Sequence, residues 1–287
     1  MTPSFVLLYI YASGFSFNTG IISSKNSSKC WKLLKTLKKT NVDLINLIFN
    51  GGFPVAVLEK NKSLRNKWFK DYIRTYVDRD IKEVSQIQKT YDFKKFLSLA
   101  AFRSSQILNL ADLARDSGIS YSTAHHFLSV LISTYQIFLL EPFFKNIGKR
   151  LIKSPKLMWF DTAFALHLQG ITNINEAIRL NRIGHLIENK IGIELKSLLS
   201  VYLPSANLFY YRTNNGAEID FIIENNSSLI PLEVKWSETV NSKNLVSMEL
   251  FLKDFKEQAT FGIVLYNGEN LIKIRENIFL VPFKLVL

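Results

Sequence analysis

Between Arg212 and Trp236 the sequence reads RTNNGAEIDFIIENNSSLIPLEVKW. Two apolar runs, Phe221–Ile223 and Leu229–Leu232, flank the polar turn Asn225-Asn226-Ser227-Ser228, which predicts two paired strands. Side chains alternate faces along a strand, so Glu233 and Lys235 point one way and Leu232, Val234 and Trp236 the other. On the first strand Glu218 and Asp220 share a face, opposite Ile219, Phe221 and Ile223. Pairing the strands would gather Asp220, Glu233 and Lys235 above a half-buried sheet. Two carboxylates can hold a Mg²⁺ ion that keeps several waters, and an ammonium beside them can orient one water as a nucleophile. Asp220, Glu233 and Lys235 are therefore candidate catalytic residues, and Asp220 and Glu233 candidate Mg²⁺ ligands. An ordinary half-exposed strand pair shows the same alternation, and on this stretch alone both readings stand.

The chain has 287 residues, 47% apolar and 21% charged, a globular balance with room for about two domains and a sizeable core. Its single cysteine, Cys30, excludes an intrachain disulfide and a cysteine-rich zinc site, and suits a reducing, cytoplasmic setting. Phe5–Phe15, FVLLYIYASGF, is too short to span a bilayer, and no Lys or Arg precedes it. A buried segment is expected there, with a signal peptide as the competing reading, and no membrane partner is expected.

The net charge of +12 is uneven. Residues 1–89 hold 15 Lys or Arg against 6 Asp or Glu, residues 90–179 hold 10 against 6, and residues 180–287 hold 11 against 12. A basic front and a near-neutral back fit a chain whose first part approaches nucleic acid while its last part holds acidic site residues. A lysine-rich background composition would look the same.

Trp31–Lys39 repeats apolar residues at helical spacing, and Gly51-Gly52-Phe53-Pro54 then breaks the chain. A long helix is expected from Ser63 to about Ile87, with Trp68, Phe69, Tyr72, Ile73, Tyr76 and Val77 as its apolar stripe. A second, at about Tyr91–Arg103, turns Phe93, Phe96, Leu97 and Ala100 inward.

Residues 106–160 carry a sharper pattern. Asn109 can cap the short helix LADLARD, which ends at Ser117-Gly118, and Ser120 or Ser122 can cap a second helix through about Ser133. Helix, glycine-containing turn, helix is a helix-turn-helix. The strand Gln136–Glu141, the basic run PFFKNIGKRLIKSPK and the strand Leu157–Phe160 complete the outline of a winged helix. Its wing would hold Lys145, Lys149, Arg150, Lys153 and Lys156 as nucleic-acid-binding candidates. The second helix has no Lys or Arg, only Ser, Thr, Tyr and the pair His125-His126, whereas base readout leans on Arg, Lys, Asn and Gln. Any nucleic-acid contact is thus expected through phosphates and the wing, with a packing or protein-binding role as the alternative. Adjacent histidines lie about 100° apart around a helix and cannot share a metal.

After Asp161 the pattern predicts a short helix through Leu168, then a helix at Gly184–Ser200 that carries Glu188 and Glu194. A strand at about Leu208–Arg212, the two strands already described, a helix near Lys243–Lys256 and the strands Phe261–Tyr266 and Ile278–Leu287 follow. Helix, three strands, helix, strand is an α/β core.

Across some four-fifths of the chain, a series of motifs resembles one family. They are GGFP at Gly51–Pro54, WFKDYIRTYVDRDI at Trp68–Ile81, LNLADLARDSGISYST at Leu108–Thr123 and FFKNIGKRLIKSPKLMWFDTAFA at Phe143–Ala165. GHLIENKIGIEL at Gly184–Leu195, YYRTNNGAEIDF at Tyr210–Phe221 and PLEVKW at Pro231–Trp236 complete the set. The family resembled is the bacterial and archaeal AAA-type ATPases whose C-terminal domain of unknown function is built on a restriction-endonuclease-like core. The resemblance implies an N-terminal helical region, a winged helix and a C-terminal α/β nuclease-like core. It also implies that Glu188, Asp220, Glu233 and Lys235 correspond to the nuclease-like site, Glu188 being the helix carboxylate that joins the metal cluster.

Such ATPases begin with a phosphate-binding loop, G-x-x-x-x-G-K-[ST], and no such run occurs here. The pair Gly148-Lys149 is followed by Arg, and the apolar strand ending in Asp161 is followed by Thr162 instead of a second acidic residue. No ATP site and no ATPase activity are expected. The expected domains are 1–50, unassigned, with a remnant of an ATPase core as one reading; 51–104, a helical lid-like region; 105–160, the winged helix; and 161–287, the nuclease-like domain. The chain reads as a truncated, nucleic-acid-associated member of that family, and the absent ATPase core is one candidate protein partner.

Overall fold

In a computed structural model of the protein, residues 25–37, 39, 43–77, 90–144 and 153–286 are described. The fold is mixed α/β with two sheets, and the chain divides into two compact units. A helical unit comprises Ile45–Leu140 and Ser154–Ile193; a sheet unit comprises Met1–Leu44, Glu141–Lys153 and Glu194–Leu287. Phe5–Phe15, the expected helix beyond Val77, and Lys145, Lys149 and Arg150 lie outside the described residues. Helix α1 (Lys25–Leu34) belongs to the sheet unit and ends earlier than the expected Lys39.

The helical unit contains α2 (Leu44–Asn50), α3 (Pro54–Leu58), α4 (Lys62–Thr75), α5 (Thr90–Phe102), β1 (Gln106–Ile107), α6 (Leu110–Ser117) and α7 (Tyr121–Ser133). It continues with β2 (Ile137–Leu140), β3 (Lys156–Trp159), α8 (Thr162–Leu168), α9 (Ile174–Arg179) and the start of α10 (Ile183–Tyr202). The three strands form an antiparallel sheet in the order β1-β3-β2. Asn61 caps α4, Asn109 caps α6, and Ser120 rather than Ser122 caps α7 by accepting the Thr123 N–H. The expected apolar stripes meet in one core around Phe69, Phe93, Phe96, Phe127, Trp159 and Phe164.

Four helices of this unit end in the same way. After α6, α7, α8 and α9 the chain turns through a left-handed residue, and the next N–H reaches back to a carbonyl five residues earlier. The pairs are Ile119 to Ala114, Gln136 to Leu131, Ile171 to Leu166 and Arg182 to Ala177. This satisfies carbonyls that a helix end would leave bare. The left-handed residues are Gly118, Tyr135, Gly170 and Asn181. Glycine and asparagine suit that conformation, whereas a tyrosine pays steric strain. Tyr135 is also 76% exposed, so its ring returns little burial for that strain. Tyr135→Gly is expected to stabilise the protein by about 0.5–1 kcal/mol, read as a rise of a few degrees in Tm.

The glycine pair before α3 has a specific partner. Asp161 caps α8 by accepting the Phe164 N–H at 2.7 Å, and it also accepts the Gly52 N–H at 2.6 Å. Gly51 has φ +71°, and a Cβ there would lie 2.6 Å from both carboxylate oxygens. Burial pushes the Asp161 carboxyl above its ordinary pKa, against the pull of these hydrogen bonds. The aspartate that superficially resembled a nucleotide-site residue is the clamp of a turn.

The sheet unit carries a six-stranded sheet in the order β4-β5-β6-β7-β9-β8. Its strands are β4 (Asn207–Arg212), β5 (Glu218–Asn225), β6 (Ser228–Lys235), β7 (Gly262–Tyr266), β8 (Ile272–Arg275) and β9 (Ile278–Pro282). β4, β5 and β6 are antiparallel neighbours, while β6, β7 and β9 run parallel. Glu141–Phe143, expected as the root of the wing, adds to the β4 edge: Tyr210 N–H donates to the Glu141 carbonyl and Phe143 N–H to the Tyr210 carbonyl.

Leu232, Ile263 and Phe279 are aligned across neighbouring strands, and Trp31 of α1 stacks on Phe279 at 5.3 Å. On the other face lies α11 (Val246–Asp254), entered through a 3₁₀ turn at Ser242–Leu245. Its Met248 packs where any side chain at Gly262 would overlap it. The last expected strand stops at Pro282, where the chain enters a 3₁₀ turn, Phe283–Leu285.

Candidate functional site

The β5–β6 hairpin turns at Asn226, whose φ of 54° is one that asparagine tolerates. From Asn225 opposite Ser228, its ladder runs to Phe221 opposite Leu232. One step further, Asp220 and Glu233 face each other and the hydrogen bonding changes partners. Asp220 Oδ2 accepts the Val234 N–H at 2.8 Å, and Glu233 Oε2 accepts the Asp220 N–H at 3.4 Å. Carboxylates have replaced carbonyls as backbone acceptors, which holds both acidic side chains at the open end of the hairpin. Lys235 Nζ donates to Glu233 Oε1 at 2.5 Å. The three residues of the D-x12-E-x-K stretch are therefore together.

Their electrostatics are uneven. Glu233 is buried, whereas Asp220 and Lys235 are half-buried. Burial first, and the Asp220 charge second, push the Glu233 carboxyl up to about 8, with Lys235 opposing them. Glu233 therefore keeps its proton to higher pH than an ordinary glutamate does. A divalent cation would compensate both charges, and Mg²⁺ commonly binds through one or two carboxylates with water completing its shell. Asp220 and Glu233 fit that donor set. Among the described residues, no group of three or more His, Cys, Asp and Glu side chains is arranged to hold a metal ion.

Glu188 lies in the helical unit, on α10, where its Oε1 receives Lys156 Nζ at 2.8 Å. Both residues are buried. Lys156 is thus corrected from a wing residue to an internal ion-pair partner, because its ammonium is spent on Glu188 at 2% exposure. Lys153 is exposed. His125 and His126 are both exposed on α7. Asn189, not singled out from sequence, bonds to both the N–H and the carbonyl of Trp159 at 2.8 Å and to Ser104 Oγ at 2.9 Å. Among the described residues no helix is long and apolar enough to cross a membrane.

Residues 41–175 match the model of a domain of unknown function, DUF8612. Residues 183–286 match that of a second, DUF4143, which covers α10 and the whole six-stranded sheet. An uncharacterized protein of Mycobacterium tuberculosis is 28% identical over 236 residues, covering 82% of this chain and 52% of its own length. An uncharacterized protein of the archaeon Methanocaldococcus jannaschii is 27% identical over 246 residues, covering 81% of this chain and 52% of its own length. The chain spans about half the length of these relatives.

Proposed function

We propose that the sheet unit carries a divalent-metal-dependent phosphodiester-cleaving site of the restriction-endonuclease type, formed by Asp220, Glu233 and Lys235. The observation that carries it is the open end of the β5–β6 hairpin, where Asp220 Oδ2 accepts the Val234 N–H, Glu233 Oε2 accepts the Asp220 N–H and Lys235 Nζ donates to Glu233 Oε1. Asp220 and Glu233 would hold Mg²⁺, which when bound polarises the phosphate and activates a water. Asp220 keeps its position through the Val234 N–H. Lys235 supplies N–H donors and positive charge beside the carboxylates, suited to orienting a water and to countering charge that develops on the phosphate. Glu188 is left out of this ligand set in favour of its pair with Lys156.

The order α5-β1-α6-α7-β2-β3, with β3 between β1 and β2, supports reading that part of the helical unit as a winged helix. Its α7 exposes Tyr121, Ser122, His125, Ser129 and Ile132, with no cation, which favours a protein-binding or phosphate-only role over base readout. The motif resemblance supports kinship with the AAA-type ATPases that carry such a C-terminal domain.

The test is incubation with supercoiled plasmid in Mg²⁺ or Mn²⁺. Nicked or linear product is expected from the wild type and not from Glu233→Ala or Lys235→Ala. Intact plasmid with the wild type, or equal cleavage by all three, would overturn the proposal and leave a non-catalytic binding module.

A further inference from the structure

The sequence contains three Asn-Gly pairs, Asn50-Gly51, Asn215-Gly216 and Asn267-Gly268. An asparagine before glycine is chemically labile, because glycine has no side chain to shield its backbone nitrogen from the asparagine amide. Attack by that nitrogen requires the two residues to rotate towards each other, so the fold decides which pair reacts.

Two of the pairs are locked. Asn50 ends α2, where its Oδ1 accepts Arg65 Nη1 at 2.6 Å and the Gly51 N–H donates to the Leu47 carbonyl at 3.1 Å. Gly51 is buried against the Asp161 carboxylate, which also holds the Gly52 N–H. Asn267 follows β7, and its N–H donates to the Ser237 carbonyl at 3.0 Å. Gly268 is buried, with the Tyr266 ring filling the space beside it. At either pair the surrounding packing must open before the residues can rotate.

Asn215 differs. Asn214, Asn215 and Gly216 join β4 to β5, and all three are exposed. Thr213 N–H donates to the Ala217 carbonyl at 2.9 Å, and Gly216, at φ +86°, completes a three-residue hairpin loop. A Cβ on Gly216 would meet nothing within 4 Å. The attacking nitrogen is held by a single exposed hydrogen bond, from the Gly216 N–H to the Thr213 carbonyl at 3.2 Å. Breaking that bond slows the reaction only severalfold.

We propose that Asn215 is the one of the three Asn-Gly asparagines that deamidates spontaneously in the folded protein, giving aspartate and isoaspartate. The Gly216 nitrogen bonds to the Asn215 side-chain carbonyl carbon, and the amide nitrogen leaves as ammonia, carrying off the proton that the Gly216 nitrogen gives up. Water then opens the resulting five-membered imide at one of its two carbonyls, so one water is consumed for each ammonia released. Isoaspartate routes the backbone through Cβ and places one more chain atom between Thr213 and Ala217. Either product adds a negative charge at the hairpin tip. The modification is independent of what the carboxylate pair does.

The test is to age the folded protein in mildly alkaline buffer, with a parallel sample in urea as the unfolded reference. Peptide mapping by mass spectrometry then reports amide loss at each asparagine. In urea the three pairs should convert at comparable rates. In the folded protein Asn215 should stay within about tenfold of its unfolded rate, whereas Asn50 and Asn267 should slow by about 100-fold or more. A labelled methyl group transferred by an isoaspartyl methyltransferase should appear on the aged wild type and be lost in Asn215→Gln, whose longer side chain would have to close a less favourable six-membered ring. That variant changes one exposed loop residue, and its Tm should match the wild type.

Folded conversion at Asn215 no faster than at Asn50 and Asn267 would overturn the proposal. So would a methyl label that persists unchanged in Asn215→Gln.

Discussion

Glu233→Gln is expected to lower Mg²⁺-dependent cleavage by about 10³-fold or more and, in the same protein, to raise Tm at pH 8 by roughly 5 °C. The two effects share one cause. In the folded chain the Glu233 carboxyl is pushed up to about 8 from an ordinary 4.5, by burial and by the Asp220 charge. Between those values the folded state keeps a proton that the unfolded chain releases, so stability falls as pH rises. The contribution is fully present below about pH 4.5 and is lost as pH climbs through about 8. A glutamine has no proton to lose, so the gap in Tm between variant and wild type should widen from pH 5 to pH 8.5. Mg²⁺ should raise the wild-type Tm more at pH 8 than at pH 6, because binding needs the carboxylate, and should leave Glu233→Gln unmoved. Asp220→Asn removes the second cause of the shift and should flatten the wild-type pH slope. A more stable but inactive variant marks a group retained for chemistry and not for the fold. Parallel Tm–pH curves for wild type and Glu233→Gln, together with intact cleavage, would sink this account.

The hairpin that carries this site was legible in the sequence because its two signals are local. Period-two alternation reports faces, and a run of Asn and Ser reports the turn. The caps at Asn109 and Ser120 and the left-handed Gly118 were legible for the same reason. The turn at Tyr135 was not, because nothing about a tyrosine announces a left-handed backbone. Lys156 was misread because its neighbours along the chain are basic, whereas its environment is set by Glu188, 32 residues later. The change of hydrogen-bond partners at Asp220 and Glu233 was equally hidden, since alternation predicts the facing and not the loss of the ladder. The level ends of β6, β7 and β9 were hidden too, because parallel order is set by crossovers that local pattern does not encode. Sequence thus named the side chains that meet at the candidate site, while their electrostatics and surroundings required the sheet.

Lys156→Met is expected to destabilise the helical unit by about 3–5 kcal/mol, the usual cost of leaving one charge of a buried pair without its partner. Lys156 on β3 and Glu188 on α10 meet at 2.8 Å, both buried. One residue along the helix, Asn189 grips Trp159 of the same strand through its N–H and its carbonyl. α10 is thus held to β3 at two points three residues apart. The asparagine clamp satisfies backbone groups that every sequence carries, but the ion pair is replaceable. Lys156→Met with Glu188→Leu should therefore recover most of the lost stability, because an apolar pair of similar volume avoids the desolvation cost of both charges. Urea unfolding of the single and double variants measures this directly. The same pair decides what Glu188 does. If its carboxylate serves Lys156, the double variant should cleave plasmid at close to the wild-type rate once its fold is restored. A double variant that is as stable as the wild type but inactive would return Glu188 to the metal site and overturn its assignment as a structural ion-pair partner.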